Sequence, residues 1–186
     1  MSRVDFVSMT SPPSTETLRA LLRPVPDFPK PGILFQDITP LLADPSALAA
    51  VVNWMVSTFR AERITHVVGV ESRGFVLAGP VAIALGAGFV PVRKPGKLPA
   101  DVLRAEYRLE YGSGTLEIHK DGLPPGSRAL LVDDVLATGG TMAASVSLVK
   151  RLNATVVGCA FLLEIVPLSG RTRLDGERVE CLLSVG

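Results

Sequence analysis

The chain has no excess of either charge. Lys plus Arg number 19 and Asp plus Glu 18, and no long block of like charge occurs, so composition offers nothing to nucleic acid or to an anionic membrane. Any phosphate-bearing ligand must be held by a local arrangement of groups. Cysteine is scarce: Cys159 and Cys181 both lie in apolar runs and read as buried thiols, a disulfide being the poorer reading. No Gly-Lys-Ser/Thr follows a glycine turn, which excludes a Walker loop, and there is no Gly-x-Gly-x-x-Gly. Val4-Asp5-Phe6 interrupts any apolar signal core, so no secretory leader and a cytoplasmic setting are expected. Phe75–Val92 is 18 residues without a charge, the length of a membrane span. Gly79, Pro80, Gly86, Gly88 and Pro91 break it into a buried helix, a glycine turn after Leu85 and a buried strand, Phe89–Val92.

What is present is apolar and alternating. The 186 residues are 47% hydrophobic, enough for one ordinary domain burying roughly 70% of its unfolded surface. No repeat or linker is legible, so a single domain over 1–186 is expected, with 1–14 loose. Thr15–Arg23 has leucines at helical spacing. Val25–Gly32 is proline-rich and reads as irregular, and Gly32–Thr39 as extended, ending in Pro40. A helix is predicted from Pro45 to about Arg63. Strand His66–Glu71, helix Gly74–Leu85 and strand Phe89–Arg93 follow. A polar excursion, Lys94–Asp121, holds two β-like pieces, Val102–Leu109 and Thr115–His119, and reads as a mobile hairpin. Strand Ala129–Val132, a helix over Met142–Leu152, strand Thr155–Glu164 and a last strand near Val179–Val185 complete the pattern. This predicts an α/β fold: a doubly wound, mainly parallel sheet flanked by helices, with ligands at the carboxyl ends of its strands.

The most informative stretch is residues 128–141. The apolar strand Ala129–Val132 is followed, where it should end, by Asp133 and Asp134. Then comes the turn Ala137-Thr138-Gly139-Gly140-Thr141 and a helix. A strand, a tight turn and a helix N-terminus make an anion site, because unpaired N–H groups and the helix dipole converge there. The glycines let the backbone approach a phosphate and the threonines add hydroxyls. The acid pair lies where ribose hydroxyls would be, so the segment reads as a ribose 5-phosphate site. Glu71-Ser72-Arg73-Gly74 ends another strand and opens a helix. An arginine there opposes the helix dipole, which is reasonable if an anion sits between them. Arg93, Lys94 and Lys97 form a compact basic turn at a third strand end.

The 128–141 segment resembles the phosphoribosyl-pyrophosphate signature of the type I phosphoribosyltransferases. Three further segments resemble the adenine phosphoribosyltransferase family: Pro26–Pro40; Leu109-Glu110-Tyr111-Gly112 with Leu116–Asp121; and Glu164–Arg171. Together the resemblance covers nearly everything from Pro26 to Leu174. It implies a type I phosphoribosyltransferase fold with a flexible hairpin lid (94–121) and a small hood over the base (15–40). It implies transfer of the phosphoribosyl group to adenine, giving AMP and pyrophosphate, with Mg2+ carried by the phosphoribosyl pyrophosphate, and a homodimer. By the same resemblance, Asp133, Asp134 and Ala137, Thr138, Gly139, Gly140 and Thr141 meet the phosphate and ribose. Ser72, Arg73, Lys94 and Lys97 meet the pyrophosphate, and a non-proline cis bond is expected near Glu71–Ser72. Backbone groups near Leu34 and Gln36 meet the purine edge, with Phe35 and Ile165 as apolar walls. Gln36 stands where the family often carries arginine. Glu110 manages the purine N7 proton and Tyr111 covers the reaction centre. No metal site made by protein ligands alone is expected.

Two alternatives are weaker. A 6-oxopurine enzyme would need a donor for O6, often a lysine, and none lies between Val135 and Lys150. A phosphoribosyl-pyrophosphate-sensing regulator would add a DNA-binding domain, for which neither charge nor length is available.

Overall fold

The computed structural model describes residues 13–108 and 113–186. They fall into two compact units, one up to Trp54 and one from Met55 onward.

In the first unit, Ser14 caps the short helix α1 (Thr15–Ala20) by accepting the Thr17 N–H at 3.1 Å. Strands β1 (Arg23–Pro26) and β2 (Leu34–Asp37) pair antiparallel, Pro24 opposite Gln36 and Pro26 opposite Leu34. The proline-rich sequence had read as irregular, yet it forms a strand. Proline is excluded only from rows that need its N–H. The connecting turn uses positive φ at Asp27 (58°) and Gly32 (84°) and a cis Phe28–Pro29 bond. A helix that the sequence reading missed, α2 (Thr39–Ala43), starts with Pro40 in its first turn, where no N–H is required. Helix α3 (Pro45–Phe59) begins here. It stops short of the expected Arg63: a 3-10 turn over Arg60–Glu62 follows, and Arg63 is left-handed at φ 53°.

The second unit carries a five-stranded sheet in the order β4-β3-β7-β8-β9, every pair parallel. Its strands are β3 (His66–Val70), β4 (Gly88–Val92), β7 (Arg128–Leu136), β8 (Thr155–Ile165) and β9 (Val179–Val185). From β3 the chain moves through α4 (Arg73–Leu85) to β4 on one side. From β7 it moves through α5 (Gly140–Arg151) to β8 on the other. Right-handed crossovers in opposite directions put α4 and α5 on opposite faces. This is the doubly wound sheet the sequence predicted, and the strand order reverses between β3 and β7, which makes their carboxyl ends the natural ligand crevice. Val67, Val68, Leu130, Leu131 and Val132 are fully buried, as strands covered on both faces require.

Between β4 and β7 lies the antiparallel hairpin β5 (Val102–Arg108) and β6 (Ser113–His119). Gly114, expected in the connecting turn, is already strand; a Cβ there would enter the Tyr107 ring. Both cysteines are free. Cys159 is buried and Cys181 only half-buried, and burial pushes both thiols up to about 12.

Candidate active site

The acid pair sits inside β7 rather than beyond its end. On the β3 side, pairing stops at Val132 opposite Gly69. On the β8 side it runs on to Leu136 opposite Glu164. Asp133 and Asp134 therefore occupy a half-paired strand extension that opens beside the β3 terminus. An apolar run could not signal this, because one neighbour keeps the strand going after the other has ended.

Gly139 takes φ 79° and caps α5, and as a glycine it offers the first-turn amides no side-chain acceptor. A helix start left uncapped in this way presents donors and a positive dipole end to an anion. A cavity of about 70 Å³ lies there, lined by Asp133, Val135–Met142 and Phe161. The loop is braced from behind by the 3-10 turn Gly170–Leu174. A Cβ on Gly139 would fall on the Gly170 carbonyl oxygen, and one on Gly170 would fall on the Ala137 carbonyl oxygen. Gly170 thus shapes the 137–141 loop without belonging to it. It lies in the Glu164–Arg171 segment, but nothing in the sequence pairs it with Gly139. Arg171 anchors this brace by donating from Nε to both Glu164 oxygens at 2.9 and 3.0 Å.

Helix α4 starts at the end of β3, after a cis Glu71–Ser72 bond and without a side-chain cap from Ser72. A Cβ on Gly74 would stand 2.8 Å from Asp133 Oδ1 and 2.9 Å from the Val132 carbonyl oxygen, so glycine lets this helix start lie directly on β7. Arg73 Nε reaches Asp134 Oδ2 at 2.7 Å, an ionic contact rather than an aligned hydrogen bond. The arginine that opposed its helix dipole therefore has a nearly buried carboxylate in front of it. Asp133 Oδ1 accepts the Asp134 N–H at 2.9 Å.

Burial first, and the neighbouring Asp134 charge second, push the Asp133 carboxyl well above its ordinary value of 3.8. The folded protein then holds this proton more tightly than the unfolded chain does. The stability this contributes is complete below 3.8 and is lost as pH rises through the raised value. Asp133→Asn should therefore raise the melting temperature of the ligand-free protein at neutral pH by a few degrees, for a gain of about 1 kcal/mol. Calorimetry from acid to neutral pH checks this; an unchanged or lower melting temperature at neutral pH contradicts it.

The basic turn follows β4. Arg93 does not face outward with the lysines. Its Nε and Nη2 donate to Glu71 at 3.2 and 3.3 Å. Glu71 also accepts the Lys94 N–H at 3.0 Å. Burial works against the Glu71 charge, but these donors outweigh it and hold the carboxyl below its usual range. Lys94 and Lys97 are exposed, and neither forms an ion pair among the described residues. The structure thus brings Ser72, Arg73, Asp133, Asp134 and residues 137–141 to the β3 and β7 ends, with Lys94 and Lys97 after the adjacent β4. Ile165 is half-buried at the end of β8.

In the first unit, Leu34 is 59% exposed and Phe28 51% exposed, large values for such residues. Phe35 packs edge-on to Phe28 at 5.2 Å between ring centres. Prolines opposite Leu34 and Gln36 suit the rows of an antiparallel ladder that exchange no hydrogen bonds. The alternation then aims the Leu34 and Gln36 peptide groups away from β1. Glu110 and Tyr111 lie outside the described residues.

A glycine-capped helix start beside an acid pair, at the switch point of a parallel sheet, is the arrangement of the phosphoribosyltransferase class, and residues 37–181 match the phosphoribosyl transferase domain family. An adenine phosphoribosyltransferase of Methylococcus capsulatus is 55% identical over 168 residues, covering 90% of this chain and 98% of that one. The crystal structure of adenine phosphoribosyltransferase from Thermoanaerobacter pseudethanolicus superposes with a TM-score of 0.90 at 45% identity, covering 92% of this chain and 100% of that one. The Saccharomyces cerevisiae enzyme, complexed with adenine and an imino-altritol bisphosphate, gives 0.86 at 40% identity, covering 91% of this chain and 98% of that one. The chain belongs to the adenine phosphoribosyltransferase family.

Proposed function

We infer that the chain transfers the 5-phosphoribosyl group from phosphoribosyl pyrophosphate to adenine, giving AMP and pyrophosphate, and so serves purine salvage. The observation that carries this reading is the uncapped α5 start, with Gly139 at φ 79°, set beside Asp133 and Asp134. It is a pocket for a phosphate next to groups suited to ribose hydroxyls.

Displacement at the anomeric carbon passes through an oxocarbenium-like state, as at other glycosyl centres. Ala137–Thr141 hold the 5′-phosphate rigidly, so the sugar is oriented before reaction. Asp133 and Asp134 engage the ribose hydroxyls. Ser72, Arg73, Lys94 and Lys97 receive the charge that develops on the leaving pyrophosphate. The outward peptide groups of Leu34 and Gln36 recognise the purine edge, and Phe35 and Ile165 supply apolar contact to the base. Glu110 takes up the N7 proton, and Tyr111 shields the reacting centre from water. Magnesium, carried by the donor substrate, would neutralise the pyrophosphate. The oxygen donors of the acid pair suit a hydrated ion of this kind.

We further propose a homodimer. Val76 and Ile83, two turns apart on α4, are 45% and 65% exposed, and Phe89 on the edge strand β4 is 41% exposed. Large apolar groups left exposed in this way suit a second copy, and sedimentation velocity reads the mass directly. A cytoplasmic setting is supported by the two free thiols. No helix among the described residues is long and apolar enough to cross a membrane. The base is tested by competition: adenine should be consumed ahead of hypoxanthine and guanine when all three are offered with the donor.

A further inference from the structure

We propose that Glu117 is a positioning residue that holds the basic turn Lys94–Lys97 in register with the leaving pyrophosphate and ties that turn to the β5–β6 hairpin. This rests on the assignment of Lys94 and Lys97 to the pyrophosphate. Glu117 is 1% exposed, the most buried carboxylate among the described residues. A buried charge is costly unless it is paired and hydrogen-bonded, so its partners show what the burial serves. Oε1 accepts from Arg104 Nε of β5 at 2.7 Å, and Oε2 accepts the Gly96 N–H at 3.0 Å. Its own backbone exchanges two hydrogen bonds with Arg93, at 2.7 and 2.9 Å, which joins β6 to the end of β4.

The turn is thereby held from two elements. Glu71, at the end of β3, takes the Lys94 N–H; Glu117, on the hairpin, takes the Gly96 N–H. Each carboxylate is matched by an arginine, Arg93 for Glu71 and Arg104 for Glu117. Arginines and carboxylates consume one another, and the two lysine ammonium groups are left for an external anion. Gly96 supports this arrangement: its φ of 74° suits glycine, while a Cβ there would meet nothing within 4 Å. Its conformation, not crowding, is what requires glycine, and that conformation presents its N–H to Glu117. A glutamine at 117 cannot accept from both partners, because one of its two positions is a donor.

The test compares phosphoribosyl pyrophosphate with AMP, which carries the 5′-phosphate but no pyrophosphate. In Glu117→Gln, calorimetry should show the donor bound about tenfold more weakly and AMP bound within twofold of wild type. Equal affinity for the donor, or equal loss for both ligands, overturns the proposal. If Glu117→Gln does not fold, Arg104→Gln removes the same pairing from a side chain that is 68% exposed and should show the same split at smaller size; no split there overturns the proposal. Lys94→Ala separates the role of Glu117 from the assignment of the lysines to the pyrophosphate. If it weakens the donor and Glu117→Gln does not, Glu117 has no positioning role. If Lys94→Ala leaves donor affinity unchanged, the pyrophosphate assignment itself is wrong and the proposal falls with it.

Discussion

Gly139→Val should abolish binding of phosphoribosyl pyrophosphate, with a loss of more than about 100-fold on the scale of removing preorganised anion donors. Two separate constraints act at this position. The φ of 79° lies in the left-handed region, where a β-branched residue is strained by about 1–3 kcal/mol. The new Cβ would also fall on the Gly170 carbonyl oxygen. The loop cannot relieve both without moving its amides off the phosphate position. Isothermal calorimetry against the donor measures the effect, and circular dichroism and the melting temperature report whether the sheet survives. A folded variant that binds the donor normally would refute the assignment. Thr141→Val probes the same loop without touching the backbone. Loss of one hydroxyl donor to a charged phosphate corresponds to about 1.5–3 kcal/mol, or roughly 10- to 100-fold in affinity.

Gly139 also shows where sequence reasoning stops. Its turn glycine, the flanking acids and the following helix were all legible, because strand, turn and helix are adjacent in the chain. Gly170, which closes the back of the same loop, is contributed by a segment after β8, and no local pattern joins the two. The same division recurs around the site. The alternation of apolar strands and helices announced the parallel sheet, and the cis bond at Glu71–Ser72 was expected from the family resemblance. The carboxylate partners of the arginines were not foreseen. Sequence groups Arg93 with Lys94 and Lys97 in one basic turn, but Glu71 takes it; Arg73 faces Asp134 across two strand ends. Glu117 lies in the Leu116–Asp121 segment, whose sequence gives it no role, and its burial appears only once the hairpin and the basic turn are placed together. The prolines at 24 and 26 misled in the other direction. They argued against a strand, when β1 simply uses them in rows that need no N–H.

Glu110→Gln should lower kcat by roughly 100-fold or more if proton transfer from the purine limits the chemical step, the usual scale for a positioned acid or base. Glutamine keeps the size and hydrogen-bonding capacity of the side chain but cannot take up the proton. Donor binding should stay close to wild type, since the phosphate and pyrophosphate groups are assigned to other loops. Steady-state kinetics alone can hide the defect when product release is slow. Single-turnover mixing of enzyme, donor and limiting adenine isolates the chemical step. A single-turnover rate equal to wild type would reduce Glu110 to a solvated hairpin carboxylate.

This chain, as a member of the adenine phosphoribosyltransferase family, should join adenine to the phosphoribosyl group and release pyrophosphate. The direct measurement mixes the purified protein with phosphoribosyl pyrophosphate, magnesium and equal amounts of adenine, hypoxanthine and guanine, and follows every nucleotide and pyrophosphate by chromatography. AMP and pyrophosphate should appear in equal amounts while hypoxanthine and guanine are left largely unused. Faster formation of a 6-oxopurine nucleotide, or donor binding without any nucleotide formed, would contradict it.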